Sequence, residues 1–146
     1  MKIVLDKGAY RPERAHTTDA GLDIKTPIGF VLPKGGARVI DTGVHIQLPA
    51  GTVGMLKSKS GLNVKHGITS EGVIDVGYTG SIRAKLYNNG GGDVIFNAGD
   101  KITQLVILPI LTPDIEIVDS LEETERGNGG FGSTGRGENE KKWFSL

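Results

Sequence analysis

Glycine supplies 23 of the 146 residues, about twice its usual ~7% share. That density weakens helices and permits turns with positive φ, so the chain suits short strands joined by tight turns. The apolar residues agree. Val44, Ile46 and Leu48 alternate with His45 and Gln47; Ile82, Ala84 and Leu86 alternate with Arg83, Lys85 and Tyr87; Ile115 and Ile117 flank Glu116. Such period-2 patterns bury one face of a strand. Turn signals at residues 33–36, 49–51, 88–92 and 98–100 separate these runs. Residues 94–96 and 102–108 flank Asn97-Ala98-Gly99-Asp100-Lys101 and read as a hairpin. The spacing predicts an all-β domain of about a dozen short strands, a sandwich or barrel. One short helix is predicted over residues 61–66, with Ser60 as cap and Gly67 as stop.

At this length one core suffices, because a chain of this size buries roughly 68–70% of its unfolded surface. Cysteine is absent, which excludes disulfides, a thiol nucleophile and Cys-based metal sites. Lys plus Arg and Asp plus Glu each number 17, so the formal net charge is zero. A general nucleic-acid binder would carry a basic excess. The longest apolar run, residues 105–111, is broken only by Pro109 and falls short of the ~20 residues of a membrane span. The first six residues carry too short an apolar stretch for a signal peptide. A soluble, cytoplasmic domain with no membrane or nucleic-acid partner is therefore expected.

Composition changes near Ser120, dividing a core at residues 1–120 from an arm at 121–146. Six of the eleven residues from 127 to 137 are glycine, and Phe131 is the only large apolar side chain between Leu121 and Trp143. Such a segment buries too little apolar surface to offset the entropy of ordering it. Alone it is expected to be mobile: a frayed tail, or a lid that orders on a ligand or a neighbouring subunit. Its glycines formally satisfy G-x-G-x-x-G, but neither that motif nor a phosphate-binding loop has the strand and helix it needs here. What survives is simpler. Bare amides cradle phosphate oxygens, Arg126 pairs with phosphate, and Phe131 stacks on a base, worth roughly 1–3 kcal/mol.

Three further stretches could carry chemistry. In Ala20-Gly21-Leu22-Asp23 a carboxylate begins a strand, where the bland reading is a turn Asp bonded to its own backbone. In Lys57-Ser58-Lys59-Ser60-Gly61 two lysines and two serines bracket a strand-to-helix junction, either an anion site or ordinary capping. In Gly72-Val73-Ile74-Asp75-Val76-Gly77-Tyr78 the carboxylate stands among apolar residues, where burial would demand a partner. The histidines, His16, His45 and His66, show no metal-ligand spacing and read as surface or strand residues.

Taken in order, five segments resemble the trimeric all-β dUTPase family: residues 20–23, 59–61, 72–78, 100–105 and 126–135. The resemblance implies a distorted β-barrel or jelly-roll-like subunit with a flexible glycine-rich arm, assembled as a homotrimer. It implies hydrolysis of dUTP to dUMP and pyrophosphate with Mg²⁺, keeping uracil out of DNA and supplying dUMP for thymidylate synthesis. By the same resemblance Asp75 activates the attacking water. Asp23 sits near it and holds the metal through water, the ion resting mainly on substrate phosphates. Lys59, Ser60 and Gly61 contact phosphates, and Gln104 joins the phosphate and water network. Tyr78 packs under the deoxyribose, and the backbone at Gly72, Val73 and Ile74 and near Arg83 pairs with the uracil edge. Arg126 reaches the γ-phosphate, Phe131 stacks on uracil, and Gly132, Ser133 and Thr134 complete the lid, which is donated to a neighbouring subunit's site.

This chain departs from the family pattern at three places. Lys59 replaces the usual arginine and loses its planar fork. Ser81 stands where many members carry glutamate. The end past Arg136, with Trp143 and Phe144, is an extension, in a cell's own cytoplasm or a host's if a virus encodes the chain. Two rival functions fit the same segments: a dCTP-deaminase-like enzyme on the same core, and a nucleotide-gated protein-binding module.

Overall fold

Nine strands and one helix follow one another in the described part of the chain. They are β1 (Lys2–Leu5), β2 (Gly21–Lys25), β3 (Phe30–Leu32), β4 (Ala37–Gln47), β5 (Thr52–Lys57), α1 (Ser60–His66), β6 (Ile68–Ile74), β7 (Ser81–Asn88), β8 (Val94–Phe96) and β9 (Lys101–Pro109). The structure is a computed structural model and describes residues 1–130. Two units separate along the chain, Met1–Thr112 and a second beginning at Pro113. All the strands belong to the first.

Seven strands form one sheet in the order β1-β4-β7-β6-β5-β9-β2, and β3 pairs with β8 in a second, small one. The large sheet curls as a half-barrel, so the expected β-barrel class holds. Its inner face is the predicted period-2 set: Val44, Ile46, Leu48, Ile82, Ala84 and Leu86 are all buried. Their sequence neighbours Gln47, Arg83, Lys85 and Tyr87 face outward. Phe30 and Phe96 stack with centroids 4.8 Å apart, joining β3 to β8.

Three local expectations fail, the first of them for a non-local reason. The turn at residues 97–101 forms, with the Asn97 amide donating to Asp100 Oδ2. Its flanking strands do not pair as a hairpin, however. Thr26 bonds the turn from across the fold, its N–H donating to Asp100 O and its carbonyl accepting from Gly99 N–H. β8 therefore turns to β3 and β9 to β2 and β5. Ile115 and Ile117 alternate correctly but form no strand; both are about fully exposed, and no strand among the described residues pairs with them. Ser60 is not the helix cap: Lys59 occupies that position, and Ser60 is the first helical residue.

Gly67 does stop the helix. Its φ of 67° is left-handed, and its N–H closes the last turn on Asn63 O and Leu62 O. A Cβ there would lie 2.6 Å from the Gly90 nitrogen. Gly67→Ala is therefore expected to lose about 2 kcal/mol or more in a denaturant titration, from strain plus a backbone clash. Gly91→Ala, with open space around its Cβ, should stay within about 0.5 kcal/mol of wild type.

Candidate active site

The anti-parallel register of β2 on β9 sets Asp23 opposite Gln104, and the register of β5 on β9 sets Lys57 opposite the same Gln104. The chain leaving β5 therefore carries Ser58, Lys59 and Ser60 past this row. Asp23 lies inside β2, not in a turn, and its side chain is only 7% exposed. A buried carboxylate needs partners, and it has two. Lys59 Nζ donates to Oδ1, and Lys101 Nζ, at the start of β9, lies 2.7 Å from Oδ2. Burial is the largest single influence on Asp23 and opposes its charge. The hydrogen bonds and charges of Lys101 and Lys59 together outweigh it and hold the carboxyl below the ordinary carboxylate range. Lys101 in turn is raised, chiefly by its hydrogen bond to Asp23.

Two ammonium groups on one carboxylate leave the cluster with a net positive charge in an otherwise neutral chain. Gln104 donates its amide to Ser58 O at 3.0 Å. Its Oε1 occupies the space a side chain at residue 21 would need, where a Cβ would lie 2.2 Å away; the glycine of Ala20-Gly21-Leu22-Asp23 makes room for Gln104. Ser60 and Gly61 open α1, both exposed, and the first amides of any helix have no intrahelical acceptor. This corner is suited to a phosphate chain. Lys101 is the residue that sequence reasoning missed. It stands in the fourth resembling segment, but only the pairing of β9 with β2, which sets Lys101 beside Lys25, brings its ammonium within reach of Asp23.

A second cluster lies at the other end of β6. The first three residues of β6 pair with β7, ending at Ser70↔Leu86, while its far half pairs with β5 from Lys57↔Glu71 to Gly54↔Ile74. Beyond Ser70 the β6–β7 hairpin splays. Its tip encloses a cavity of about 230 Å³ lined by Gly72, Val73, Ile74, Asp75, Tyr78 and Arg83, with Leu56 and Ile82 as floor. The edge of β6 facing that cavity carries backbone donors and acceptors without a β7 partner, which suits recognition of a flat, hydrogen-bonding ring.

Tyr78 folds back across the turn. Its hydroxyl donates to Ser81 O at 2.8 Å, and its amide donates to Asp75 O at 3.0 Å. Gly80 is required beneath the ring, since a Cβ there would meet the Tyr78 hydroxyl at 2.6 Å. Asp75 itself is exposed. The expectation of a carboxylate buried among Val73, Ile74 and Val76 is corrected, because Val73 and Val76 are exposed as well and only Ile74 turns inward. Ser81, at the family's glutamate position, donates to Asp41 Oδ1 at 2.5 Å. Arg83 reaches the same carboxylate, with Nε 3.6 Å from Oδ2.

Within one chain the two clusters do not meet. The row of Asp23 crosses β6 at Glu71, and Asp75 lies one residue beyond the Gly54↔Ile74 pair. At ~3.3 Å per residue and ~4.8 Å per strand, that is about 13 Å along the strands and about 14 Å across them. The expectation that Asp23 sits near Asp75 is thus not met inside a single chain. Arg126 is exposed and donates from Nε to Gly129 O. Phe131, Gly132, Ser133 and Thr134 lie outside the described residues, as do Trp143 and Phe144.

A family model for dUTPase matches residues 8–135. The chain belongs to the dUTPase family. It is 44% identical over 132 residues to the deoxyuridine 5'-triphosphate nucleotidohydrolase of Paramecium bursaria Chlorella virus 1, covering 90% of this chain and 94% of that one. It is 40% identical over 134 residues to the enzyme of the same name from Gloeothece citriformis, with coverage of 90% and 92%. Among solved structures, the Staphylococcus bacteriophage 80alpha dUTPase with dUPNHPP superposes with a TM-score of 0.86 at 34% identity, over 92% of this chain and 97% of that one. A mutant dUTPase from phage phi11 of S. aureus, described for its coordination of a structural Mg(II) ion, gives 0.77 at 33% identity, over 84% and 98%. The chain is accordingly an enzyme of the dUTP-hydrolysing class.

The Asp23 cluster yields a pH-dependent prediction. A carboxyl held below its unfolded value contributes stability above the ordinary carboxylate range, and that contribution is lost as pH falls through the folded value. Asp23→Asn should therefore cost about 2–3 kcal/mol at pH 7, less than a fully enclosed pair because both lysines reach water. The gap to wild type should close as pH falls below about 4, followed by urea unfolding at stepped pH.

Proposed function

We propose that the chain hydrolyses dUTP to dUMP and pyrophosphate at a site built from two of its copies, within a homotrimer. The observation that carries this reading is the splayed β6–β7 tip, where an unpaired strand edge, a folded-back tyrosine and an exposed carboxylate line one small cavity. Uracil pairs with the backbone of Gly72, Val73 and Ile74 and near Arg83. The deoxyribose rests on Tyr78, whose ring leaves no space for a 2′-hydroxyl. Asp75 takes a proton from water, which attacks the α-phosphorus in line, and pyrophosphate leaves.

The phosphates lie on the cationic corner of a neighbouring copy, against Lys59, Lys101, Ser60 and Gly61, with Gln104 holding that loop. Separation of the two clusters within one chain supports this division of labour. The non-cleavable analogue on the phage 80alpha relative supports the substrate class. Mg²⁺, as cofactor, would neutralise phosphate charge when bound. Asp23 fits it only as a partner through water, since both carboxylate oxygens already accept from lysines and no group of three or more acidic or histidine side chains gathers among the described residues. The ion is therefore held chiefly by the substrate. Residues 121–146 act as the lid exchanged to a neighbour's site, with Arg126 on the γ-phosphate and Phe131 over uracil, cradled by Gly132, Ser133 and Thr134. The enzyme works in the cytoplasm of its cell or host, limiting uracil in DNA and supplying dUMP.

Pyrophosphate release measured across the four dNTPs and UTP, with and without Mg²⁺, tests this reading. Turnover of dUTP alone is expected, and Asp75→Asn should lower kcat by about 10²–10⁴. Ammonia from dCTP without pyrophosphate would establish the deaminase reading instead. Binding of dUTP with turnover no faster than that of Asp75→Asn would establish a binding module.

A further inference from the structure

The turn that carries Tyr78 is held from outside the site by a histidine. His45 lies on β4 directly opposite Ser81, at the base of the hairpin tip. Its Nδ1 is 2.9 Å from Thr79 O, and its Nε2 is 3.2 Å from Asp6 Oδ2. Both partners are acceptors, a carbonyl and a carboxylate. A neutral imidazole has one N–H and satisfies one of them; only the doubly protonated ring donates to both. Asp6 is itself fixed to the same strand, its amide donating to Gly43 O at 2.9 Å. The bridge therefore runs from the hairpin turn through His45 to the segment after β1.

We propose that His45 is a positioning residue for the β6–β7 turn, clamping Thr79 while it carries two protons and loosening that turn, with Tyr78 and Asp75, when it loses one. The charged groups around it favour the clamp. Asp6 faces it from the segment after β1, and Asp41 lies on its own strand, shared with Arg83 of β7. Lys2 of β1 lines the same surface hollow, a cavity of about 400 Å³. The hydrogen bond to Thr79, then that to Asp6, raises the ring's proton affinity above the ordinary histidine value. The clamp is thus complete below the ordinary value of about 6.5 and is lost as pH rises through the raised one. Substrate grip is tied to that window.

The inference rests on the dUTPase reading for its kinetic arm alone. The other arm needs no nucleotide: NMR of the full chain between pH 5.5 and 9, following the His45 ring and the amides of Tyr78, Thr79 and Gly80. Those amides should shift together with the ring, at a midpoint above 6.5. The step should vanish in His45→Gln and move to lower pH in Asp6→Asn. In kinetics, the wild-type KM for dUTP should rise about three- to ten-fold across the same step with kcat changed less than about two-fold, while His45→Gln shows the high KM throughout. Hairpin amides that ignore the ring's titration, or superimposable KM profiles for the two proteins, would overturn the proposal. Should His45→Gln fail to fold, the wild-type titration and Asp6→Asn decide it. Should no dUTP be hydrolysed, the proposed function falls and the amide titration still judges the clamp.

Discussion

The change of partner along β6 is the constraint on which the site depends. One half of the strand is zipped to β7 and the other to β5, so the tip of the β6–β7 hairpin opens. Unpaired backbone groups inside a fold are costly unless something meets them. Here they face a cavity, where a pyrimidine edge of matching donors and acceptors can take the place of the missing strand. Small residues allow this: Gly72 lets the strand lie close on Leu56, and Gly80 leaves room for the Tyr78 ring. The same opening puts Asp75 in contact with water, which the role proposed for it requires.

The cationic corner proposed for the phosphates is arranged by a different device, a buried anion. Asp23 is removed from water on β2 and draws Lys59 and Lys101 from two other segments onto one carboxylate. This fixes the ammonium groups in place before any substrate arrives, which lowers the ordering cost of binding. It also gives a chain with no net charge a local positive corner. The two ammonium groups that make up that excess are gathered by a carboxylate, which cancels one of their charges.

The residues that were legible in the sequence are those governed by local rules. Val44, Ile46 and Leu48 on β4, and Ile82, Ala84 and Leu86 on β7, alternate because one face is buried, and they lie where that rule puts them. Gly67 ends α1 because only glycine fits there cheaply. What the sequence hid depends on partners far along the chain. Thr26 diverts the turn at Asn97–Asp100, so an apparent hairpin feeds two sheets. Ile115 and Ile117 have the right period but no ladder. Asp75 is exposed because the splayed tip lifts Val73 and Val76 outward with it. Lys101 and His45 both looked unremarkable, and both owe their roles to strand pairing: β9 against β2 brings the Lys101 ammonium to Asp23, and His45 faces Ser81 across β4 and β7.

The central claim is that one copy supplies the base pocket and Asp75 while another supplies the Asp23–Lys59–Lys101 corner. Subunit mixing tests it most directly. Asp75→Asn protein and a Lys59→Met, Lys101→Met double variant, each deficient in dUTP hydrolysis alone, would be unfolded, combined and refolded together, and pyrophosphate release measured against each refolded separately. Recovery of a substantial fraction of wild-type turnover in the mixture is the predicted result, because mixed assemblies contain some sites with both halves intact. A mixture no more active than its two components would contradict the account, and would return both halves of the site to a single chain.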